Sequence, residues 1–157
     1  MSTGKDNQLA RQIGESIVVA ELGRRGCIAT SFAGNVPYYD ILAVNPKGRP
    51  LQIQVKAIRG PSWQFDIRSF LNVDVVGLEQ IVKGPIPPPQ KNLFCVFVIV
   101  KETDPDEFFI FSWRYLQKYF ERTYKNRKRP KNPTSFHCAI WPEDLIQFKD
   151  NWKILLK

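Results

Sequence analysis

Apolar residues at the start of the chain recur every three or four positions, from about Lys5 to Arg25. Two glycines near the end of this segment, Gly23 and Gly26, are typical of a helix terminus. The apolar residues fall on two faces of the predicted helix: one carries Leu9, Ala10, Ile13, Ile17 and Ala20, and the other carries Val18, Val19 and Leu22. The pattern therefore predicts a first helix that is covered on two sides by other parts of the chain.

Short apolar segments separated by turn residues predict strands after this helix. Residues 27–32 and 39–44 have strand-like composition, and a loop at 33–37 separates them. The prolines, asparagine and glycine of residues 45–50 are a strong turn signal and lead into a third strand at 51–57. The second and third strands are therefore predicted to form a hairpin.

The rest of the chain predicts more strands and two further helices. Strands are predicted at residues 63–67, 93–100, 107–111 and 135–140. Residues 70–83 fit either a strand or a helix, and the prolines of residues 84–89 indicate an extended surface connection. Ser112 can cap a helix that runs to about Tyr124, and Pro142 can begin a final short helix. This order of elements predicts a single α/β domain with a mixed β-sheet flanked by α-helices.

The composition agrees with one folded domain and favours a polyanionic partner. A chain of 157 residues with 43% hydrophobic and 24% charged residues can bury a core. Its net charge of +8 favours attraction to nucleic acid. The longest apolar run, at 93–100, is too short to span a bilayer, so we expect no membrane partner. The polar amino terminus lacks the apolar stretch of a secretory signal, so we expect cytoplasmic localisation and reduced, buried thiols at Cys27, Cys95 and Cys138.

The predicted hairpin carries three polar side chains with the chemistry of a metal site. Asp40 lies near the start of one strand, and Gln54 and Lys56 share a face of the next, since side chains two positions apart in a strand point the same way. The hairpin can therefore bring the Asp40 carboxylate close to the Gln54 side-chain oxygen. Carboxylate and carbonyl oxygens suit Mg²⁺. A lysine beside the activated water can assist phosphodiester hydrolysis, and this is the role that we assign to Lys56.

Glu15 in the first helix is a further candidate for the same site. On a helical wheel it falls on the second apolar face of the helix. A carboxylate there needs a partner, because burying even an unpaired polar group costs roughly 2–7 kcal/mol. We expect that partner to be a metal ion or Lys56.

The order of these residues resembles the PD-(D/E)xK nuclease superfamily, which includes restriction endonucleases, Holliday-junction resolvases and some intron-encoded homing endonucleases. The residues that carry the resemblance lie in about the first sixty positions and are Gly14-Glu15, Gly26, Pro37, Asp40 and Gln54-Val55-Lys56. Two departures are the tyrosines between Pro37 and Asp40, and Gln54 in place of the usual acid. Members with a QxK variant are more similar to this sequence.

The resemblance implies a restriction-endonuclease-like domain, with the motif in residues 5–60 and the domain completed by residues 93–157. It also implies a DNA endonuclease that uses Mg²⁺ or Mn²⁺, with metal ligands Asp40, Gln54 and Glu15 and with Lys56 at the water. A glutamine offers an oxygen but no negative charge, so weaker metal binding is expected.

Three alternatives to this enzyme remain open on the sequence. A nuclease-fold protein could bind nucleic acid without cutting it, and a basic domain could bind an acidic protein instead. The plainest alternative is an ordinary hairpin in which Asp40 caps a turn, Gln54 and Lys56 face solvent, and Glu15 pairs with an arginine.

A second candidate surface is basic and follows the helix that Ser112 begins. Its residues recur along one side of that helix and continue into a predicted loop, and they are Arg114, Lys118, Arg122, Lys125, Arg127, Lys128 and Arg129. Such side chains would contact phosphates without reading sequence, whereas the alternative is a solvated helix face. Cutting both strands of DNA would normally imply a homodimer. The sole histidine, His137, lies in an apolar segment and is expected to be structural rather than catalytic.

Overall fold

A long helix precedes ten strands in the computed structural model, which describes residues 4–34 and 36–157. The helices and strands of these ranges are α1 (Gly4–Arg24), β1 (Ile28–Ser31), β2 (Ile41–Val44), β3 (Pro50–Ile58), β4 (Trp63–Asp66), β5 (Leu71–Val76), β6 (Glu79–Pro85), β7 (Leu93–Ile99), β8 (Glu107–Ser112), α2 (Trp113–Thr123), β9 (Arg127–Lys128) and β10 (His137–Ile140). Short 3₁₀-helices lie at Ile67–Ser69, Pro142–Phe148 and Trp152–Leu155. Residues 1–3 of the polar amino terminus and residue 35 of the predicted loop lie outside the described ranges.

Five of the strands form the main sheet, in the order β1-β2-β3-β7-β8. Neighbouring strands are antiparallel except β3 and β7, which run parallel, so the sheet is mixed as the sequence predicts. The predicted hairpin is formed by β2 and β3, with Ile41 opposite Ile53. On its other edge β3 pairs with β7, where Gln54 lies opposite Cys95 and Lys56 lies opposite Phe97. The candidate residues of β3 therefore lie in the centre of the sheet.

Strand β7 contributes to a hydrophobic core on each face of this sheet, since successive side chains of a strand point to opposite faces. One core contains the α2 helix and β7 residues Cys95, Phe97 and Ile99. The other contains the α1 helix, β7 residues Val96 and Val98, and Val100, which directly follows β7. The predicted α/β class is confirmed, with helices packed on both faces of the sheet.

Helix α1 packs on β3 through one continuous side, and the prediction that it is covered on two sides is wrong. Its buried stripe is Ala10, Gly14, Val18 and Leu22, which runs between the two apolar faces predicted from the sequence. Leu9 is 43% exposed and Ala20 faces solvent. Gly14 allows close contact, because a Cβ there would lie 2.3 Å from the Cβ of Ala57. The helix is thereby held tightly against the strand that carries Lys56.

Residues 70–83, which the sequence leaves between strand and helix, belong mostly to the hairpin of β5 and β6. The predicted surface connection at 84–89 begins inside β6, and its Ile86 N–H donates to Phe70 O at 3.0 Å. The predicted loop after α2 contains β9, which pairs with β6 and completes a three-stranded sheet. Strand β10 pairs with β4 in a separate two-stranded ribbon. This ribbon covers part of the face of the main sheet that α2 also covers.

Two other expectations from the sequence are confirmed. Ser112 caps α2, because its Oγ accepts the Tyr115 N–H at 3.2 Å. The three cysteines, Cys27, Cys95 and Cys138, are free and buried. Among the described residues, no helix is both long and apolar enough to cross a membrane.

Candidate active site

Asp40 is fixed on the β2–β3 hairpin by two hydrogen bonds to β3. Its N–H donates to Ile53 O at 2.9 Å, and its carboxylate Oδ2 accepts the Val55 N–H at 2.8 Å. The Asp40 side chain therefore continues the β2–β3 hydrogen bonding beyond the first residue of β2. It reaches the neighbouring strand rather than capping a turn of its own.

Asp40, Gln54 and Lys56 line a single cavity of about 700 Å³. The sheet forms one wall, and Phe65 of β4 and His137 of β10 line the cavity as well. The β4–β10 ribbon therefore contributes the wall that the sequence does not reveal. The three side chains that the sequence groups on the hairpin are brought together here.

Burial raises the pKa of the Asp40 carboxyl, and the nearby charge of Glu15 adds to this effect. The Val55 hydrogen bond and the positive charges of Arg11 and Lys56 oppose it without reversing it. Water thus solvates the Asp40 charge poorly. A cation placed against this carboxylate would be stabilised.

Lys56 is held at the cavity wall rather than facing bulk solvent. Its Nζ lies 4.0 Å from the centroid of the Phe65 ring, and its backbone oxygen accepts the Trp63 Nε1–H at 3.0 Å. Burial lowers the pKa of the Lys56 ammonium, while Cys138 and Asp40 oppose this effect. The Lys56 ammonium therefore loses its proton more readily in this environment than it would in water.

Glu15 pairs with Arg11 in this structure, not with Lys56. Arg11 Nε donates to Glu15 Oε1 at 3.1 Å, and Arg11 Nη2 lies 3.8 Å from Asp40 Oδ1. Arg11 also lines the main cavity, whereas Glu15 lies at an adjoining cavity of about 270 Å³. The guanidinium thus bridges the two carboxylates that the sequence assigns to a metal.

Arg11 is a member of the site that the sequence-based reasoning missed. It precedes Glu15 by four positions, and side chains at this spacing on a helix are neighbours. That spacing is the signal that could have found it. Its approach to Asp40 depends on how α1 packs against β3, which the local spacing does not contain.

The donor set fits a hard divalent cation with a low ligand charge. Within residues 4–34 and 36–157, no three His, Cys, Asp or Glu side chains come together as a metal site. The oxygen donors at the cavity include the Asp40 carboxylate and the Gln54 amide, which are ligand types that Mg²⁺ and Mn²⁺ accept. Glu15 could add a second carboxylate after Arg11 releases it. Two carboxylates, Asp40 and Asp66, therefore line the cavity, but Asp66 is paired with Arg68. Glu15 lies at the adjoining cavity.

His137 is exposed and lines the main cavity, although it lies in an apolar segment, and its expected structural role stays a prediction. Its Nε2 contacts the side-chain oxygen of Gln64 across the β4–β10 ribbon. It also lines a smaller cavity of about 290 Å³ together with Arg127. The pairing of β4 with β10 places His137 opposite Asp66. Because these strands are far apart in sequence, local spacing gives no sign of this position.

The basic surface is exposed along most of its length. Arg114, Lys118 and Arg122 project from α2, and further exposed cations are Lys125, Arg127 and Lys128. None of these side chains lines the main cavity. The structure therefore places this surface outside the main cavity, and Arg127 shares a smaller cavity with His137.

Arg129 differs from the other basic residues because it is partly buried. Its Nη2 donates to the Tyr124 hydroxyl at 3.0 Å, and its buried Nε has no partner among the described residues. The Tyr124 hydroxyl in turn donates to the buried Gln80. Arg129 thus contributes to the packing of β9 as well as to the positive charge of this region.

Comparison with known proteins gives a fold and no sequence family. No protein-family model matches the chain, and no curated protein matches it. Among solved structures, the chain is similar to an endonuclease, with a TM-score of 0.54 and 13% sequence identity over 95% of this chain and 92% of that chain. That structure is the bacterial homing endonuclease I-Ssp6803I. At this identity the similarity shows the fold alone, so the chain has a nuclease-like α/β fold.

Proposed function

We propose that this chain is a metal-dependent DNA endonuclease of the PD-(D/E)xK type, in its QxK variant. The observation that carries the proposal is the single cavity that collects Asp40, Gln54 and Lys56 from the central hairpin. The nuclease-like fold supports it, because the fold resembles that of a homing endonuclease over nearly the whole chain.

The residues of the site have separate roles in this proposal. Asp40 and Gln54 would hold Mg²⁺ or Mn²⁺ through side-chain oxygens, and Glu15 would supply additional negative charge. The ion would supply charge neutralisation on the phosphate and a more acidic water molecule. Lys56 would orient the attacking water by donating a hydrogen bond to it. The Phe65 ring and the burial of Lys56 keep its side chain at the cavity wall.

The basic surface would bind the DNA backbone on either side of the cut. The net charge of +8 and the exposed cations of α2 and β9 support phosphate contacts that do not read sequence. Binding should therefore weaken steeply as salt concentration rises. A homodimer would place one such site on each strand of a duplex.

Cleavage of supercoiled plasmid DNA with Mg²⁺ or Mn²⁺ tests the proposal. We expect the wild-type chain to nick or linearise the plasmid, and EDTA to stop it. Asp40→Asn and Lys56→Ala should each lose most of this activity. Asp74→Asn is the matched control, because Asp74 is an exposed carboxylate of β5 whose side chain is 63% exposed. Cleavage by Asp40→Asn at the wild-type rate would refute the assigned site.

A second candidate function is nucleic-acid binding without cleavage. The observation that favours it is the Arg11 guanidinium, which lies between the two carboxylates and partly neutralises them. Under this alternative the wild-type chain binds DNA equally in Mg²⁺ and in EDTA and never cuts it. Gln54→Glu separates the two functions further, because it restores a carboxylate at the position of the usual acid. Cleavage by Gln54→Glu but not by the wild-type chain would support a nucleic-acid-binding protein whose metal site lacks the negative charge needed for cleavage.

A further inference from the structure

The Lys56 ammonium has an aromatic partner rather than a carboxylate partner. Its Nζ lies 4.0 Å from the centroid of the Phe65 ring, which is within the range of a cation–π interaction. Among the ion pairs of residues 4–34 and 36–157, none involves Lys56. Such an interaction is stronger where water is excluded, as it is at this partly buried position. The ring face is therefore the contact that fixes the end of this side chain.

The Phe65 ring is itself held by the aromatic core behind it. Its centroid lies 5.5 Å from that of Phe70, 5.7 Å from that of Phe97 and 5.7 Å from that of Phe120. The Phe97 ring is stacked on it, and the other two meet it edge to face. These contacts leave the ring little freedom to move. The immobile ring can thus restrict the motion of the flexible Lys56 side chain that lies on it.

Lys56 contacts β4 through both its backbone oxygen and its ammonium group. Its backbone oxygen accepts the Trp63 Nε1–H, and its ammonium lies on the ring of Phe65, two residues further along the same strand. A lysine side chain has many rotamers, so an unheld ammonium would sample much of the cavity. The two contacts keep the ammonium at the Phe65 ring, in the cavity that Asp40 and Gln54 also line.

We propose that Phe65 is a positioning residue that holds the Lys56 ammonium where the reaction needs it. This inference rests on the proposed nuclease function and adds a residue to it. Replacing the ring with leucine keeps an apolar side chain but removes the π face. The loss should lower kcat by about threefold to thirtyfold, the range of a single cation–π contact, and should leave KM nearly unchanged.

Three variants separate positioning from packing. Phe65→Leu removes the ring, and Phe65→Tyr keeps the ring face and should retain most of kcat. Phe108→Leu is the packing control, because Phe108 is buried in the core on the opposite face of the sheet, where its ring contacts Trp152. We expect Phe108→Leu to destabilise the fold while its kcat stays near the wild-type value. An equal fall of kcat in Phe108→Leu and Phe65→Leu would overturn the inference.

An NMR measurement tests the contact without any cleavage. Protons on the Lys56 Cε should show the upfield ring-current shift of a group above an aromatic face. This shift should persist in Phe65→Tyr and Phe108→Leu and disappear in Phe65→Leu. Lys56 signals at ordinary positions in the wild-type chain would overturn the inference. If the chain cuts no DNA, the nuclease proposal fails, and the NMR shift alone decides whether Phe65 holds Lys56.

Discussion

The carboxylate of Asp40 accepts the backbone N–H of Val55 at 2.8 Å, so a side chain from one strand completes the hydrogen bonding of the next. This bond places an acidic group beside the strand on which Gln54 and Lys56 lie. The bond also requires the carboxylate to be partly buried, and this burial raises the pKa of Asp40. The site therefore combines a precise position for Asp40 with an unfavourable environment for its charge.

Asp40→Asn should stabilise the fold and lose most of the cleavage activity. Because the pKa of Asp40 is raised in the folded chain, its ionised form at neutral pH lowers stability, and a neutral amide relieves this cost. The amide oxygen can still accept the Val55 N–H. We expect the free energy of unfolding at pH 7 to rise by about 0.5–2 kcal/mol, measured by urea denaturation. A fall in stability would show that the Asp40 charge is well compensated.

Arg11→Gln should increase metal affinity. The Arg11 guanidinium competes with a cation for Asp40 and Glu15, and its removal frees both carboxylates. Because exposed ion pairs are weak, we expect the Kd for Mn²⁺ from calorimetry to fall by only about twofold to fivefold. Arg24→Gln is the control, since Arg24 pairs with Glu21 on the same helix. Weaker Mn²⁺ binding in Arg11→Gln would mean that Arg11 supports the site instead.

Gly14→Ala should destabilise the fold, because its new Cβ would lie 2.3 Å from the Cβ of Ala57. The helix must then move away from β3, at a cost of about 1–3 kcal/mol. Gly23→Ala is the matched control on the same helix, where a Cβ meets nothing within 4 Å. It should change stability little or raise it by up to about 1 kcal/mol, as measured by thermal unfolding. Equal effects of the two substitutions would show that α1 does not need the close contact.

Glu107 should make stability depend on acid pH. Hydrogen bonds from Lys149 and Lys101 lower the pKa of its carboxyl below the ordinary value of 4.5. Its contribution is therefore present above pH 4.5 and is lost as pH falls through the lower pKa of the folded chain. Urea denaturation between pH 6 and pH 3 should show a steeper loss of stability in the wild-type chain than in Glu107→Gln. Parallel curves would show that the two lysines do not stabilise the charged form.

The sequence predicts the half of the site that depends on local geometry. Strand periodicity alone places Gln54 and Lys56 on one face, and the turn signal alone joins their strand to that of Asp40. Both features are present in the structure. Helical periodicity is less informative for α1, because its apolar residues cover more than one face and only the packing against β3 selects the buried side.

The rest of the site depends on contacts between distant parts of the chain. His137 meets Gln64 across 73 positions because β10 pairs with β4, and no local pattern specifies that pairing. The same ribbon brings Phe65 to Lys56. Arg11 approaches Asp40 from helix α1, which lies close to the sheet at Gly14. These three relationships require the folded chain.

The location of a bound Mn²⁺ ion is the most direct test of the central claim that Asp40 and Gln54 form a metal site. Crystals of the wild-type chain soaked in Mn²⁺ should give an anomalous difference peak in the main cavity. We predict that side-chain oxygens of Asp40 and Gln54 coordinate the ion and that the peak is absent from Asp40→Asn crystals. A Mn²⁺ ion bound by other residues, or a cavity that stays empty at saturating Mn²⁺, would contradict the account.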